Sequence, residues 1–462
     1  MLRGITNPGG PHFWLVTAPP QMGKTWFVTK ICREAARQGW VTNLLDLRKV
    51  SPDSRANPGA LLAGLFGLVV PVTADQKARD DIAVRIFETR RPHLCVLDAA
   101  ELLDEDAARM LRSCLSEIYH LVDGATRERL AFIVASRLED KWRAATESPR
   151  LSVLSLSEFS EGIVQSAFLD LVRRLGRDLL TVNWRQTAAT IYEVTEGLPA
   201  LLARCLAWIG DRQAVRPESI ESRQHFEELA GPYINRELLA RGSLFPGSGD
   251  DERTCESADP RLEALALAYR ILAPYRLFTQ SHLRNHLENN RTFSAVVEAA
   301  GWSIEDLWDA VSGSALQLRP LDEPWQIVHP AIRRLFYRYF YATTGQQAEA
   351  QEQALRFIKV WSEKQLGKEQ VVGLIECLWH QATARREPDE AAFDRELITA
   401  ATALSLDLKP SMLYTVAELR RYAADRMSSD DELRQSVKHI DGLFARLVEI
   451  VRNPPPSAGA MT

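Results

Sequence analysis

Apolar residues follow two rhythms along this chain, and the change between them divides it. Up to about residue 156, short unbroken apolar runs recur: Phe13-Trp14-Leu15-Val16, 40–47, Leu94-Cys95-Val96-Leu97, Leu130-Ala131-Phe132-Ile133-Val134-Ala135 and 151–156. Runs of this length read as strands covered on both faces, and 26–37, 57–70 and 74–89 between them have helical spacing. The alternation predicts a parallel sheet flanked by helices. Pro8-Gly9-Gly10-Pro11 is a turn cluster before the first strand, so no large segment is expected ahead of it.

From 162 to about 224 the pattern is helical. Within it, Gly197 ends one helix and Pro199 opens the next at a first-turn position, where a missing N–H costs nothing. Residues 241–260, with Pro246-Gly247-Ser248-Gly249-Asp250-Asp251, read as a linker. From 262 to 342 the order is a helix, helix 280–287, helix 303–311 with a Ser303/Asp306 capping box, strand 316–319, a turn at Asp322-Glu323-Pro324, strand 325–328 and a helix from Pro330. This is the order of a winged helix. Residues 346–452 then predict amphipathic helices at 347–365, 370–384, 389–404, 411–426 and 430–451, a helical-hairpin array without a repeat consensus.

The expected fold class is therefore multidomain α/β plus α. Its parts are a parallel-sheet core (1–160), a helical lid (161–240), a linker (241–260), a winged helix (261–345), a C-terminal helical-hairpin domain (346–452) and a disordered tail (453–462).

The first strand runs into Ala18-Pro19-Pro20-Gln21-Met22-Gly23-Lys24-Thr25-Trp26. The spacing Ala18-x-x-x-x-Gly23-Lys24-Thr25 fits the phosphate-binding loop of nucleoside triphosphatases, with Ala where the strict pattern has Gly. Backbone N–H groups of residues 22–25 would wrap phosphates at the positive end of the following helix. Lys24 would supply charge to the outer phosphates and the Thr25 hydroxyl would bind magnesium. Gln21 and Trp26 flank these groups and belong to the expected ATP/ADP contact set. Ala18 is acceptable if its φ stays negative.

The strand 92–98 closes on Asp98, which in a parallel sheet emerges at the ligand-binding C-terminal edge. Asp98 is the expected second magnesium residue, its alternative role being a helix N-cap. Glu101 would orient the attacking water or stand as a solvated first-turn acid. The next strand ends Ser136-Arg137, making Arg137 a candidate sensor of the terminal phosphate or an ordinary surface arginine. Pro199, at the interhelical corner, would pack over base and ribose. His329, after the last wing strand, is either a hydrogen-bonded structural residue or a phosphate contact.

Composition narrows the partners. A net charge of −5 gives no general attraction to nucleic acid or anionic membrane, and the would-be recognition helix carries Glu305, Asp306 and Asp309 without a basic residue, which counts against DNA. Cys32, Cys95, Cys114, Cys205, Cys255 and Cys377 are scattered, with neither zinc spacing nor a disulfide framework. No signal or membrane-spanning pattern is present, so the expected location is the cytoplasm and no membrane partner is expected.

Taken in order, Ala18 to Thr25, Leu94 to Asp98 with Glu101, Ser136-Arg137, Gly197-Leu198-Pro199 and a winged helix ending at His329 resemble the STAND signal-transduction ATPases, relatives of the AAA+ proteins. Ala99 and Ala100 before Glu101 resemble their NACHT branch. Two positions depart from the class: Ala99 stands where many members have an acid, and Pro330 follows His329 where aspartate is common. The resemblance implies a slow ATPase whose ADP-bound state is closed and whose ATP-bound state forms homo-oligomers, with the C-terminal helices meeting a separate effector protein. The rival readings are a DNA-associated AAA+ ATPase of the origin-binding or transposition-helper kind, and a pseudo-ATPase scaffold.

Overall fold

The computed structural model describes residues 12–68, 76–122, 124–137, 142, 151–177, 183–244, 259–314, 316–318, 325–384, 390–440 and 442–454. The chain divides into two compact units, Met1–Ala266 with Ala295–Leu318, and Leu267–Ser294 with Arg319–Thr462.

The first unit holds a five-stranded sheet: β1 (Phe13–Thr17), β2 (Val41–Asp46), β3 (His93–Asp98), β4 (Leu130–Ser136) and β5 (Leu151–Ser155), in the order β2-β3-β4-β1-β5. Every pairing is parallel. Successive side chains of a strand point to opposite faces, and the sequence supplies apolar residues for both. Leu15, Cys95, Leu97, Phe132 and Val134 face α2 (Pro58–Phe66), α3 (Gln76–Thr89) and α4 (Glu105–Leu121). Val16, Leu94, Val96, Ala131, Ile133 and Ala135 face Val28, Cys32 and Ala35 of α1 (Lys24–Arg37). The expected three-layer α/β core is the one observed, and all strand C-termini lie at the edge that carries the phosphate-type loop.

The helical stretch that follows comprises α5 (Glu161–Arg174), α6 (Trp184–Thr195), α7 (Pro199–Arg212), a short helical turn Pro217–Glu221, α8 (Arg223–Pro232) and a wider-wound π segment, Tyr233–Leu244. This segment carries helical structure into 241–244, where the linker was expected to begin. The glycine-rich part of that linker, 246–251, lies outside the described residues, as do Cys255, the turn at 322–324 and the tail from 455.

From Pro260 the chain forms α9 (Pro260–Leu272), α10 (Gln280–Asn289), α11 (Arg291–Ala299), α12 (Ile304–Ser312), β6 (Gln317–Leu318), β7 (Ile327–Val328) and α13 (Pro330–Phe340). The Ser303/Asp306 capping box is present. An unforeseen antiparallel bridge joins Phe278 to Gln326, and α11 was also not foreseen.

In the second unit, α14 (Thr344–Glu363) and α15 (Gly367–Thr383) precede α16 (Glu390–Leu406), α17 (Val416–Ser428), α18 (Asp431–Ser436) and α19 (Leu443–Arg452). One core links the last five through Val371, Leu378, Leu397, Leu419, Leu433 and Leu447. The single helix expected over 430–451 is two: Val437 leaves helical geometry and Gly442 takes a φ of 74° before α19 starts. Only glycine adopts that conformation without strain.

Candidate nucleotide site

The loop 18–25 leaves β1 at the sheet's C-terminal edge and re-enters structure at Lys24, two residues before the helix start read from the sequence. Gly23 makes this possible with a φ of 80°, the left-handed region. Ala18 is not among the positive-φ residues, so its Cβ meets the condition set for it. Gln21, at φ 62°, is in the left-handed region without being glycine. Its side chain is tied down: Nε2 donates to Glu237 Oε2 at 2.7 Å, so a residue of the π segment holds the loop. Met22 is buried beneath it.

Lys24 is only 9% exposed, and its Nζ donates to the carbonyls of Ala18 at 2.5 Å and Pro19 at 2.9 Å. The ammonium thus closes the loop on itself. Burial pulls its pKa down to about 8; Glu101 and Asp98 oppose the shift, while Arg137 and Arg48 add to it. A phosphate would supply the missing negative charge. Trp26, one residue beyond Thr25, is 63% exposed with Lys30 over its ring at 4.9 Å.

Parallel register explains the opposite side of the site. Asp46 and Asp98 are partners at the ends of β2 and β3, so two carboxylates emerge side by side. Arg48, on the 3-10 turn Leu47–Lys49 after β2, reaches back between them. Its Nη2 donates to Asp98 Oδ2 at 2.8 Å, Asp46 Oδ2 at 3.0 Å and Thr25 Oγ1 at 3.1 Å, and its Nε donates to Asp46 Oδ1 at 2.8 Å. Burial raises the Asp98 carboxyl above its usual range, against the Thr25 hydrogen bond and the Arg48 charge. Sequence reasoning missed both Asp46 and Arg48. The signal was present: 41–46 and 93–98 both end in Leu-Asp at the same sheet edge.

Thr25 and Asp98 therefore converge on one cation, which here is a guanidinium. The donor set, a hydroxyl and a carboxylate beside a phosphate-type loop, fits magnesium. Beyond Asp98, Ala99 turns at φ 59° and Ala100–Leu102 form a short 3-10 turn that points Glu101 inward. Glu101 accepts from Arg137 twice, Oε1 from Nε at 2.9 Å and Oε2 from the backbone N–H at 3.2 Å. The proposed water-orienting acid and the proposed sensor are thus brought together as a pair.

The Gly197-Leu198-Pro199 corner is built as the sequence implied, with Gly197 at φ 68° and Pro199 in the first turn of α7. A Cβ placed on Gly23 would stand 3.9 Å from the Pro199 Cβ, so this corner lies against the loop. A Cβ on Gly197 itself would collide with the Phe159 carbonyl. His329 belongs to the second unit, where it is buried and occupies the position just before α13.

Among the described residues no cluster of three or more His, Cys, Asp or Glu is arranged to hold a metal. None of their helices is long and apolar enough to cross a membrane.

No family profile and no curated protein matches this chain. Solved structures do match. Cdc6p of Pyrobaculum aerophilum is 13% identical over 73% of this chain and 91% of its own, at a TM-score of 0.34. Aeropyrum pernix ORC2 in ADPNP–ADP complexes is 12% identical over 74% and 90%, at 0.40. Drosophila ORC bound to DNA is 13% identical over 70% and 88%, at 0.32. Likeness at this level identifies neither family nor function. The STAND class expected from the ordered motifs, and its NACHT branch expected from Ala99, Ala100 and Glu101, have no support among these matches. The expectation that DNA is an unlikely partner has no support among them either.

Proposed function

We propose that the chain is a nucleotide-binding P-loop ATPase of the AAA+ kind, taking ATP and ADP with magnesium at 18–26. The observation that carries this is the convergence of Lys24, Thr25 and Asp98 at one sheet edge with the Glu101–Arg137 pair behind them. The backbone N–H groups of 22–25 bind the phosphates and Lys24 exchanges its carbonyl partners for phosphate oxygens. Thr25 and Asp98 hold the metal, which when bound would neutralise phosphate charge. Glu101 positions water only once Arg137 releases it, and the residue after Asp98 is Ala99, so turnover is slow. Trp26 stacks on the base, and Pro199 with the lid helices reads occupancy.

For what the nucleotide state controls, a DNA-associated ATPase is our first reading. It rests on the order of elements, an ATPase core and lid followed by the helix and strand order of a winged helix. Glu305, Asp306 and Asp309 are exposed on α12, so DNA would contact other surfaces. The STAND reading, a nucleotide-gated oligomer passing a signal to an effector through α14–α19, is second. The inward turn of Ala99-Ala100-Glu101 and the winged-helix His329 favour it. Free buried thiols at Cys32, Cys95, Cys114, Cys205 and Cys377 accord with a reducing cytoplasm.

Duplex-DNA binding titrated at several salt concentrations with ATP, ADP and no nucleotide separates the readings. Salt-dependent binding that changes with nucleotide supports the first. No DNA binding, with ATP-dependent oligomers in sedimentation, supports the second.

A further inference from the structure

We propose that Arg48 is a built-in competitor for the divalent cation of the nucleotide site, and that Asp46 supplies that cation's third protein oxygen, directly or through water. The inference rests on the nucleotide reading and deepens it.

Three oxygens from three separate chain segments converge on a single nitrogen. Arg48 Nη2 stands 2.8 Å from Asp98 Oδ2, 3.0 Å from Asp46 Oδ2 and 3.1 Å from Thr25 Oγ1. An amino nitrogen of guanidinium carries two hydrogens, so three acceptors exceed what it can satisfy with good geometry. A small divalent cation surrounded by oxygens has no such limit. The two carboxylates are held side by side by the β2–β3 register, and a cation between them stabilises both charged forms.

Arg48 is also placed to leave. Its side chain is 38% exposed, whereas that of Asp98 is 3% exposed. It sits on a three-residue turn rather than within a strand or long helix. When it swings out, the two acids keep their strand positions and meet a doubly charged ion in place of a singly charged one. The phosphate oxygens of a bound nucleotide would offer the released Arg48 guanidinium a new partner. Metal arriving alone offers Arg48 no new partner. The geometry therefore makes metal and nucleotide bind jointly, each raising affinity for the other by the same factor.

The test uses Mn2+ alone as the probe, titrated into the nucleotide-free full chain and followed by its paramagnetic signal. Wild type, Arg48→Ala, Arg48→Gln and the double variant Arg48→Ala/Asp98→Asn are compared, with folding checked by circular dichroism. The expected result is at least a tenfold gain in Mn2+ affinity at one site in Arg48→Ala, abolished by adding Asp98→Asn. Arg48→Gln keeps the bulk and loses the charge, and shows the same gain should the alanine variant not fold. Equal Mn2+ affinity in wild type and the folded Arg48 variants overturns the inference. Parallel titration with ADP and Mg2+ keeps the two claims apart. Nucleotide binding without the Mn2+ gain removes only the role of Arg48; the Mn2+ gain without nucleotide binding in wild type removes only the nucleotide reading.

Discussion

Arg48 and Arg276 each sit among carboxylates, and they differ in whether the arginine can leave. In the first unit Arg48 bridges Asp46 and Asp98 with its side chain 38% exposed. In the second, Arg276 is 10% exposed and fully engaged: Nη2 and Nε meet Glu376 at 2.7 and 3.2 Å, and Nη1 meets both oxygens of Asp430 at 2.7 and 2.9 Å. Arg333 adds Glu432, with 2.8 Å to each oxygen, and both guanidiniums lie over the Trp379 ring, at 4.7 and 5.3 Å. The second cluster joins segments about a hundred residues apart, as its 276–376 and 333–432 pairs show, and Arg276, Arg333 and Glu376 are all nine-tenths or more buried. Similar chemistry is thus structural where the arginine itself is buried, and exchangeable where the arginine borders water at a sheet edge.

This contrast orders the effects of substitution. Arg276→Ala should be the most damaging, leaving Glu376 buried and unpaired at a cost of about 3–5 kcal/mol, read as a lowered urea midpoint. A loss under about 1 kcal/mol would mean that water reaches the cluster and that the contrast is wrong. Gly197→Ala should follow, at about 1–3 kcal/mol, because alanine is strained at φ 68° and its Cβ meets the Phe159 carbonyl. Arg48→Ala should cost less, about 1–2 kcal/mol without nucleotide, because it takes a hydrogen-bond partner from the buried Asp98 carboxylate while Asp46 stays near water. A measured loss as large as that of Arg276→Ala would make Arg48 structural too.

The smallest effect is one of pH. The folded Lys24 pKa of about 8 lies below its ordinary 10.5. Between those values the native state holds fewer protons than the unfolded chain, so the destabilisation from burying this charge is full below pH 8 and lessens toward pH 10.5. Nucleotide needs the charged form. Its affinity should therefore decline as pH rises past about 8, with proton uptake on binding, measurable by calorimetry in buffers of different ionisation enthalpy. Affinity that is flat from pH 7 to about 9.5 would contradict a lowered Lys24 pKa coupled to nucleotide binding.

How much of this could be read from the sequence depends on the range of the interactions. The loop, its strand and its helix are local, and Gly23-Lys24-Thr25 announces them within a few residues. Asp98 was legible because a buried parallel strand must end at the ligand edge. Arg48 was not, because its role depends on the Asp46–Asp98 register, which strand periodicity alone does not specify. The Glu101–Arg137 pair was missed for the same reason: each residue was read singly, and only the sheet order sets β4 next to β3. Helix α11 went unread because its buried apolar residues are few, Phe293 and Val297, one turn apart. The break before α19 was carried by Gly442 inside an otherwise helical pattern, a residue that helices tolerate and turns require.

The central claim is that 18–26 is a working nucleotide site, and calorimetric titration of ADP and ATP with Mg2+ into wild type and Lys24→Ala tests it most directly. The account predicts one site per chain in wild type. It also predicts a fall on the order of a hundredfold in affinity for a folded Lys24→Ala, about 3 kcal/mol, the upper end for a hydrogen bond to a charged group. Equal affinity in the two proteins, or no binding to wild type freed of any retained nucleotide, would contradict it.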